Sequence, residues 1–272
     1  ERQQMEAAFG YSDELLTVSE SYRLWAIEGD DYIKSVLSFA AADEGVVIAP
    51  DINLFRELKL RMLNGTHTLS CGLAWLAGFE TVRQAMEHEV MSSFISELML
   101  DEIAAGIPYP VEPAAAQDFG KKVLDRFRNP YLQHHWLSIT MQYTSKMKLR
   151  NVPVITKYAE TKKSVPQNMA LGFAAYLQFL RPVTRKADGY YGNWQNLEYR
   201  INDDHAGYFY EKWQNGEAAN IIDQVLADTS LWGEDLSLIA GFAAAVKEKF
   251  SLLQERGALE AIQVNKTKKV LA

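Results

Sequence analysis

Three polar residues in one helical stretch carry the chemistry this sequence offers. They are Lys59, Asn64 and His67, within Glu57-Leu58-Lys59-Leu60-Arg61-Met62-Leu63-Asn64-Gly65-Thr66-His67. At about 100° per residue of an α-helix they stand near 0°, 140° and 80°, all on one broad face. Helical side chains lean towards the N-terminus, so Asn64 and His67 lean towards Lys59, whose flexible stem must bring its amine back. A lysine amine has a pKa of about 10.4 in water; burial or a neighbouring cation lowers it to where it can take and return a proton. An amide and an imidazole nitrogen beside it can both donate to one oxygen, which stabilises an alkoxide while hydride leaves the carbon. Nothing in such chemistry requires a metal. On spacing alone the plainer reading is favoured, with Lys59 a solvated helix residue and the other two satisfied polar groups. Gly65 costs a helix up to about 1 kcal/mol against alanine, and close approach of a ligand or another backbone is one reason to keep it.

The elements that must position this trio read as helix after helix. Apolar spacing predicts helices over Asp31–Ala42, Asp51–Ala77 with Gly78 as its cap, Thr81–His88 and Val90–Ala105. It continues with Ala114–Arg128 between Pro113 and Pro130, Leu132–Met147, Val154–Thr161 after Pro153, and Gln167–Leu180 before Pro182. Asp203–Trp213, Ala218–Asp228 and Leu236–Gln254 read as three closing helices. The Gly-, Asp-, Asn- and Tyr-rich stretch Thr184–Asn202 reads as an irregular excursion. Only Arg23–Ile27 and Gly45–Ile48 suggest strands, pairing as a short ribbon. The expected fold is all-α, one domain over residues 1–272, with that β-ribbon near the N-terminus. No Gly-x-Gly-x-x-Gly follows a strand, no phosphate-cradling Gly-x-x-x-x-Gly-Lys occurs, and strands do not alternate with helices, so no dinucleotide-binding domain is expected.

The chain has 272 residues, 48% of them hydrophobic, enough for one sizeable core or two at most. No apolar run is long enough to span a membrane. Glu1–Ala8 is polar and predicts no signal peptide. The single cysteine, Cys71, excludes an internal disulfide framework, fits a reducing cytoplasm and reads as a small buried apolar residue. A net charge of −7 argues against nucleic acid as a partner. Basic residues nevertheless cluster at Lys146, Lys148, Arg150 and Lys157, which fits either a small anion or a solvated helix face.

The sequence around the trio resembles the long-chain mannitol dehydrogenase family, over about residues 12 to 260. Leu24-Trp25-Ala26-Ile27-Glu28-Gly29 carries the resemblance first. Lys59-Leu60-Arg61-Met62-Leu63-Asn64-Gly65-Thr66-His67-Thr68 follows, running on through Leu76-Ala77-Gly78-Phe79-Glu80-Thr81-Val82. Arg126-Phe127-Arg128-Asn129-Pro130-Tyr131-Leu132 comes next, with His134 and Leu137-Ser138-Ile139. The last is Thr144-Ser145-Lys146, with Arg150 and Pro153 spaced after it; Asn202-Asp203-Asp204 is a weaker match. Asn-Gly-Thr-His and the third motif look more like the family's uronate branch than its polyol branch.

The resemblance implies a helical C-terminal domain of the mannitol dehydrogenase / 6-phosphogluconate dehydrogenase C-terminal-like type, with an N-terminal nicotinamide-binding Rossmann domain as its partner and the site between them. It implies that Lys59 is the general acid/base and that Asn64 and His67 hold the reacting oxygen. The implied reaction is the reversible NAD-dependent, metal-free interconversion of D-altronate and D-tagaturonate, with NAD bound mainly outside this chain. Polyol members carry a glutamate three residues before the lysine; here Arg56 stands there, so a proton path of the polyol type is doubtful. Facing inward, Arg56 would help lower the pKa of Lys59.

A hexuronate carries a carboxylate that a polyol lacks. Lys146 and Arg150, four apart on one helix face, are the candidates for binding it, with an ordinary surface pair as the rival. His134 is a candidate to line the cleft, against a core or interface role. Arg128 and Asn129 read as capping residues. The aromatics at Tyr190–Trp194 and Tyr208–Trp213 read as packing rather than a sugar platform. The histidines lack the convergent spacing of a metal site. Two other readings stand beside the hexuronate one: a fructuronate or mannitol/polyol dehydrogenase, and a non-catalytic helical dimerisation or binding domain.

Overall fold

The computed structural model describes residues 2–17, 20, 22–214 and 216–271. Its contacts divide the chain into two compact units, Glu1–Phe55 and Arg56–Ala272. The first unit holds α1 (Arg2–Phe9), β1 (Trp25–Glu28), α2 (Asp31–Val36), a 3-10 turn at Ser38–Ala41 and β2 (Val46–Ala49). β1 and β2 do pair, with Trp25 opposite Val46 and Glu28 opposite Ala49, and the pairing is parallel. Parallel strands need a crossover, which α2 and the 3-10 turn supply. The strand–helix alternation not seen in the sequence is therefore present once. Asp30 caps α2, its carboxylate accepting the Ile33 N–H.

The second unit is helical around one apolar centre. α3 (Asn53–Glu57) runs without a break into a π-helical segment, Leu58–Gly65, and then into α4 (Thr66–Leu76). Gly78 ends the run at φ +90°, a conformation open to glycine without Cβ strain. α5 (Val82–Glu87) opens on a capping box between Thr81 and Gln84. α6 (Glu89–Glu97) also widens into a π segment, Leu98–Ile103. α7 (Pro113–Phe127) starts on the proline whose fixed φ suits a first helical position.

The expected helix over Leu132–Met147 is instead two short ones, α8 (Trp136–Ile139) and α9 (Tyr143–Lys146). Gln142 breaks them apart at φ +52°. A third π segment, Met147–Asn151, leads into α10 (Val152–Lys162). α11 (Gln167–Phe179) lies at the centre, buried from Asn168 to its end. It approaches α4 so closely that a Cβ on Gly172 would stand 2.6 Å from the Leu69 carbonyl oxygen. α15 (Phe242–Arg256) packs on its other side.

The stretch read as irregular is an antiparallel sheet: β3 (Pro182–Lys186), β4 (Gly189–Trp194) and β5 (Leu197–Ile201), in that order. Gln195 and Asn196, at φ +51° and +67°, form the turn between β4 and β5. Trp194 Nε1 donates to the Leu76 carbonyl at 2.9 Å, satisfying the end of α4, and Tyr199 Oη donates to Phe179 O at 2.8 Å. α12 (Ala206–Gln214), α13 (Ala218–Leu226), α14 (Thr229–Trp232), α15 and α16 (Ala258–Leu271) close the unit, α16 being a helix beyond those expected. Tyr190 packs 5.4 Å from Tyr210, and Trp213 stacks on Phe250 at 5.4 Å, so these aromatics pack on one another and on a helix. Among the described residues no helix is long and apolar enough to cross a membrane.

Candidate active site

Lys59 and Asn64 both lie in the π segment Leu58–Gly65. A π-helix bonds residue i to i+5 and holds more residues per turn than an α-helix. Lys59 and Asn64 are five apart, so they stand about one turn from each other instead of splayed by the roughly 140° of α geometry. Lys59 is exposed and carries no hydrogen bond or ion pair among the described residues. Arg56 is exposed as well, so the inward position considered for it is not adopted. Glu57 pairs with Arg61 at 2.8 Å.

The wide turns are held by the neighbouring π segment. Arg61 Nη1 donates to the Leu149 and Arg150 carbonyls at 2.6 and 3.0 Å, and Asn151 Nδ2 to Gly65 O at 3.0 Å. Thr68 Oγ1 donates to Asn64 O at 2.8 Å. The close approach expected at Gly65 is made by Asn151: a Cβ there would stand 3.1 Å from its Nδ2.

His67, on α4, is 7% exposed and lies flat on Phe127, with ring centroids 4.2 Å apart. His134 meets it edge-on at 5.0 Å and Trp136 at 6.0 Å. Among the described residues its Nε2 is buried without a hydrogen-bond partner. Burial, then the charges of His134, Arg150, Arg126 and Lys146, holds its pKa well below the ordinary 6.5. His67 is thus neutral at physiological pH, and a neutral imidazole offers one N–H donor and one acceptor.

Arg150 Nη1 donates to Thr68 Oγ1 at 3.1 Å and Asn64 O at 3.4 Å, and burial lowers its pKa. Lys146 Nζ donates to Ile139 O at 2.9 Å; burial, then Arg150, lowers its pKa. Neither belongs to a fully solvated surface pair. Exposed His134 sits on a segment fixed by backbone bonds, from Val82 N to His134 O and from Trp136 N to Glu80 O, both 2.9 Å. Arg126, in the last turn of α7, adds a cation that sequence reasoning passed over. The available signal was its place in the Arg126-Phe127 motif, since Phe127 carries His67 on its ring. Arg128 and Asn129 do cap the end of α7: Arg128 N–H bonds to Leu124 O at 3.3 Å and Tyr131 N–H to Asn129 Oδ1 at 3.0 Å. Cys71 is buried, its thiol pushed up to about 12 by burial. Burial also lowers the pKa of His134, so three cations, Arg126, Lys146 and Arg150, stand near two neutral imidazoles, a set that can stabilise an anion. Among the described residues no three His, Cys, Asp or Glu side chains converge as metal ligands do.

The profile of the family described as mannitol dehydrogenase C-terminal domain matches residues 51–254. The chain belongs to this family. Among its relatives is an altronate oxidoreductase of Bacillus subtilis (strain 168), 36% identical over 261 residues, 94% of this chain and 50% of that protein. An altronate oxidoreductase of Phocaeicola vulgatus is 33% identical over 255 residues, 93% of this chain and 51% of that protein. Among solved structures, the fold matches a Pseudomonas fluorescens mannitol 2-dehydrogenase, captured as a ternary complex with NAD and D-mannitol. That match has TM-score 0.76 and 22% identity, covering 98% of this chain and 51% of the other. The chain thus spans about half the length of the family relatives it matches.

Proposed function

We propose that this chain is the catalytic half of a cytoplasmic, NAD-dependent oxidoreductase that interconverts D-tagaturonate and D-altronate without a metal. The observation that carries the reading is the convergence of Lys146, Arg150, Arg126 and His134 on buried, neutral His67 beside Asn64. A polyol offers no charge to oppose the lysine and the two arginines, whereas a hexuronate offers a carboxylate. The names of the relatives agree with this choice. In this reading Lys146 and Arg150 bind the carboxylate, and His134 lines the substrate's path. Asn64 and His67 donate to the reacting oxygen, and Lys59 takes its proton during oxidation and returns it during reduction.

The nicotinamide, where bound, supplies the hydride acceptor or donor. The one β-α-β unit here does not fit it: Gly29-Asp30-Asp31 puts carboxylates where a pyrophosphate loop needs glycines, and the Asp30 side chain already occupies the α2 N-terminus. The cofactor-holding residues are therefore assigned to an N-terminal Rossmann domain outside this chain.

The test joins the chain to its N-terminal half and follows NADH absorbance with tagaturonate, fructuronate and fructose. The expected outcome is turnover of tagaturonate above the other two, and a loss of at least about a hundredfold in Lys59→Ala, the low end for a lost acid–base group. Preference for fructose would move the assignment to a polyol dehydrogenase. Undiminished turnover in Lys59→Ala would sink the role of Lys59.

A further inference from the structure

The break at Gln142 is held from a distant part of the chain. Gln142 N–H bonds to Asn202 O at 2.8 Å, its Nε2 to Asp204 Oδ1 at 2.9 Å, and Asp204 N–H returns to Gln142 Oε1 at 3.3 Å. Two residues on, Asp203 Oδ2 accepts the Thr144 N–H at 2.7 Å. The Asp203 side chain is 1% exposed, and its other oxygen accepts the His205 N–H at 2.8 Å. Thr144 Oγ1 bonds in turn to buried Tyr176 Oη at 2.9 Å. The residues fastened this way are the first turn of α9. Lys146 is its last residue, and Arg150 follows in the π segment that continues it. α9 continues through the π segment into α10, so what is fastened is the N-terminal end of one helical run. A left-handed residue other than glycine at its start adds strain that surrounding structure must hold. A buried carboxylate accepting the Thr144 N–H in its first turn is a charge-assisted restraint on that end.

We infer that Asp203 is a positioning residue: it anchors the start of α9 and so fixes the direction in which Lys146 and Arg150 are presented to the acid end of the substrate. Asp203 touches neither Lys59, Asn64 nor His67, so it governs how the substrate's far end is held rather than proton transfer. This inference rests on the hexuronate reading for its kinetic consequence, but not for its structural one.

The test therefore has two arms, both on the full-length enzyme that contains this chain. In hydrogen–deuterium exchange, amides of residues 143–151 exchange faster in Asp203→Ala than in wild type, while those of α11 and α15 keep their protection. Asp203→Asn, which retains an oxygen acceptor, restores most of the difference. In kinetics, Asp203→Ala raises KM for the hexuronate about tenfold, the scale of one lost charge-assisted hydrogen bond, with kcat within about threefold. Asp203→Asn lies between. Unchanged exchange over 143–151 overturns the inference whatever the substrate proves to be. Faster exchange with KM unmoved overturns the link from anchor to substrate. Wild-type enzyme that ignores hexuronates removes the functional reading alone, and the exchange arm still decides the anchor. If Asp203→Ala unfolds everywhere, Asp203→Ser, which keeps a polar atom but is one bond too short to reach the Thr144 N–H, is measured in its place and must show the same local exchange or the inference falls.

Discussion

His67 is kept neutral by burial first, then by its basic neighbours His134, Arg150, Arg126 and Lys146, and this has a consequence in solution. Unfolded, the imidazole takes a proton near pH 6.5; folded, it refuses one until the pH is well below that. The folded state binds fewer protons, so its stability is fully present above about pH 6.5 and declines as the pH falls from there towards the depressed folded value. Thermal melts at pH 7.5 and pH 5 should show a smaller drop for His67→Gln than for wild type; an equal drop would place the pH sensitivity elsewhere. Residue types and the family motif pointed to Lys59, Asn64, His67, Lys146 and Arg150 as candidates, and the fold brings Arg150 to the Asn64 carbonyl and sets Arg150 and Lys146 near His67. Arg126 was not among them, because its charge reaches His67 from a third element and only the fold brings them together. The condition set for Arg56, that it face inward, is not met: its neighbour Glu57 pairs with Arg61, and Arg56 is left on the exposed side.

At the scale of elements, two π segments lie side by side and lend each other the bonds that regular helices would make internally. Arg61 is the strongest link, its side chain 9% exposed and tied to Glu57 and two carbonyls. Replacing it by methionine strands a nearly buried carboxylate and two acceptors, and should cost about 3 kcal/mol. Urea denaturation measures this. Adding Glu57→Met should recover part of the loss, since no unpaired charge then remains; a double variant no better than the single would show that the carbonyls, not the ion pair, dominate. Periodicity predicts the long helices well, and their caps at Gly78, Thr81 and Pro113 were readable from residue type. It says nothing of π widening, since the same apolar residues suit either pitch. Residues 132–147 carry no glycine or proline to mark the break at Gln142; that break is imposed by Asn202, Asp203 and Asp204. The β4–β5 hairpin was missed because its turn is Gln195-Asn196 rather than a glycine pair. The alternation on β5, with Tyr199 and Ile201 buried between exposed Glu198 and Arg200, was the overlooked signal.

For the whole molecule, the groups proposed to act on the substrate all belong to the unit Arg56–Ala272. The isolated chain, supplied with NADH and tagaturonate, should leave the 340 nm absorbance (the usual nicotinamide readout) unchanged. Measurable oxidation would mean that this chain holds the cofactor by a route not described above. The overall helical fold was legible from composition and spacing, whereas the small sheets were legible only in part, one as a ribbon and the other not at all. A π turn is an α-helix with one residue inserted, so it changes the count along the chain without moving the helix ends. Deleting one residue between Leu58 and Gly65 would return that stretch to α pitch and leave Lys59 and His67 in much the same relative facing, whereas α pitch at the present length would swing Lys59 by about 100° relative to His67. Across relatives, a one-residue gap inside this helix would therefore mark loss of the π turn with the facing of its ends kept, although in most helices such a gap reads only as damage to the fold.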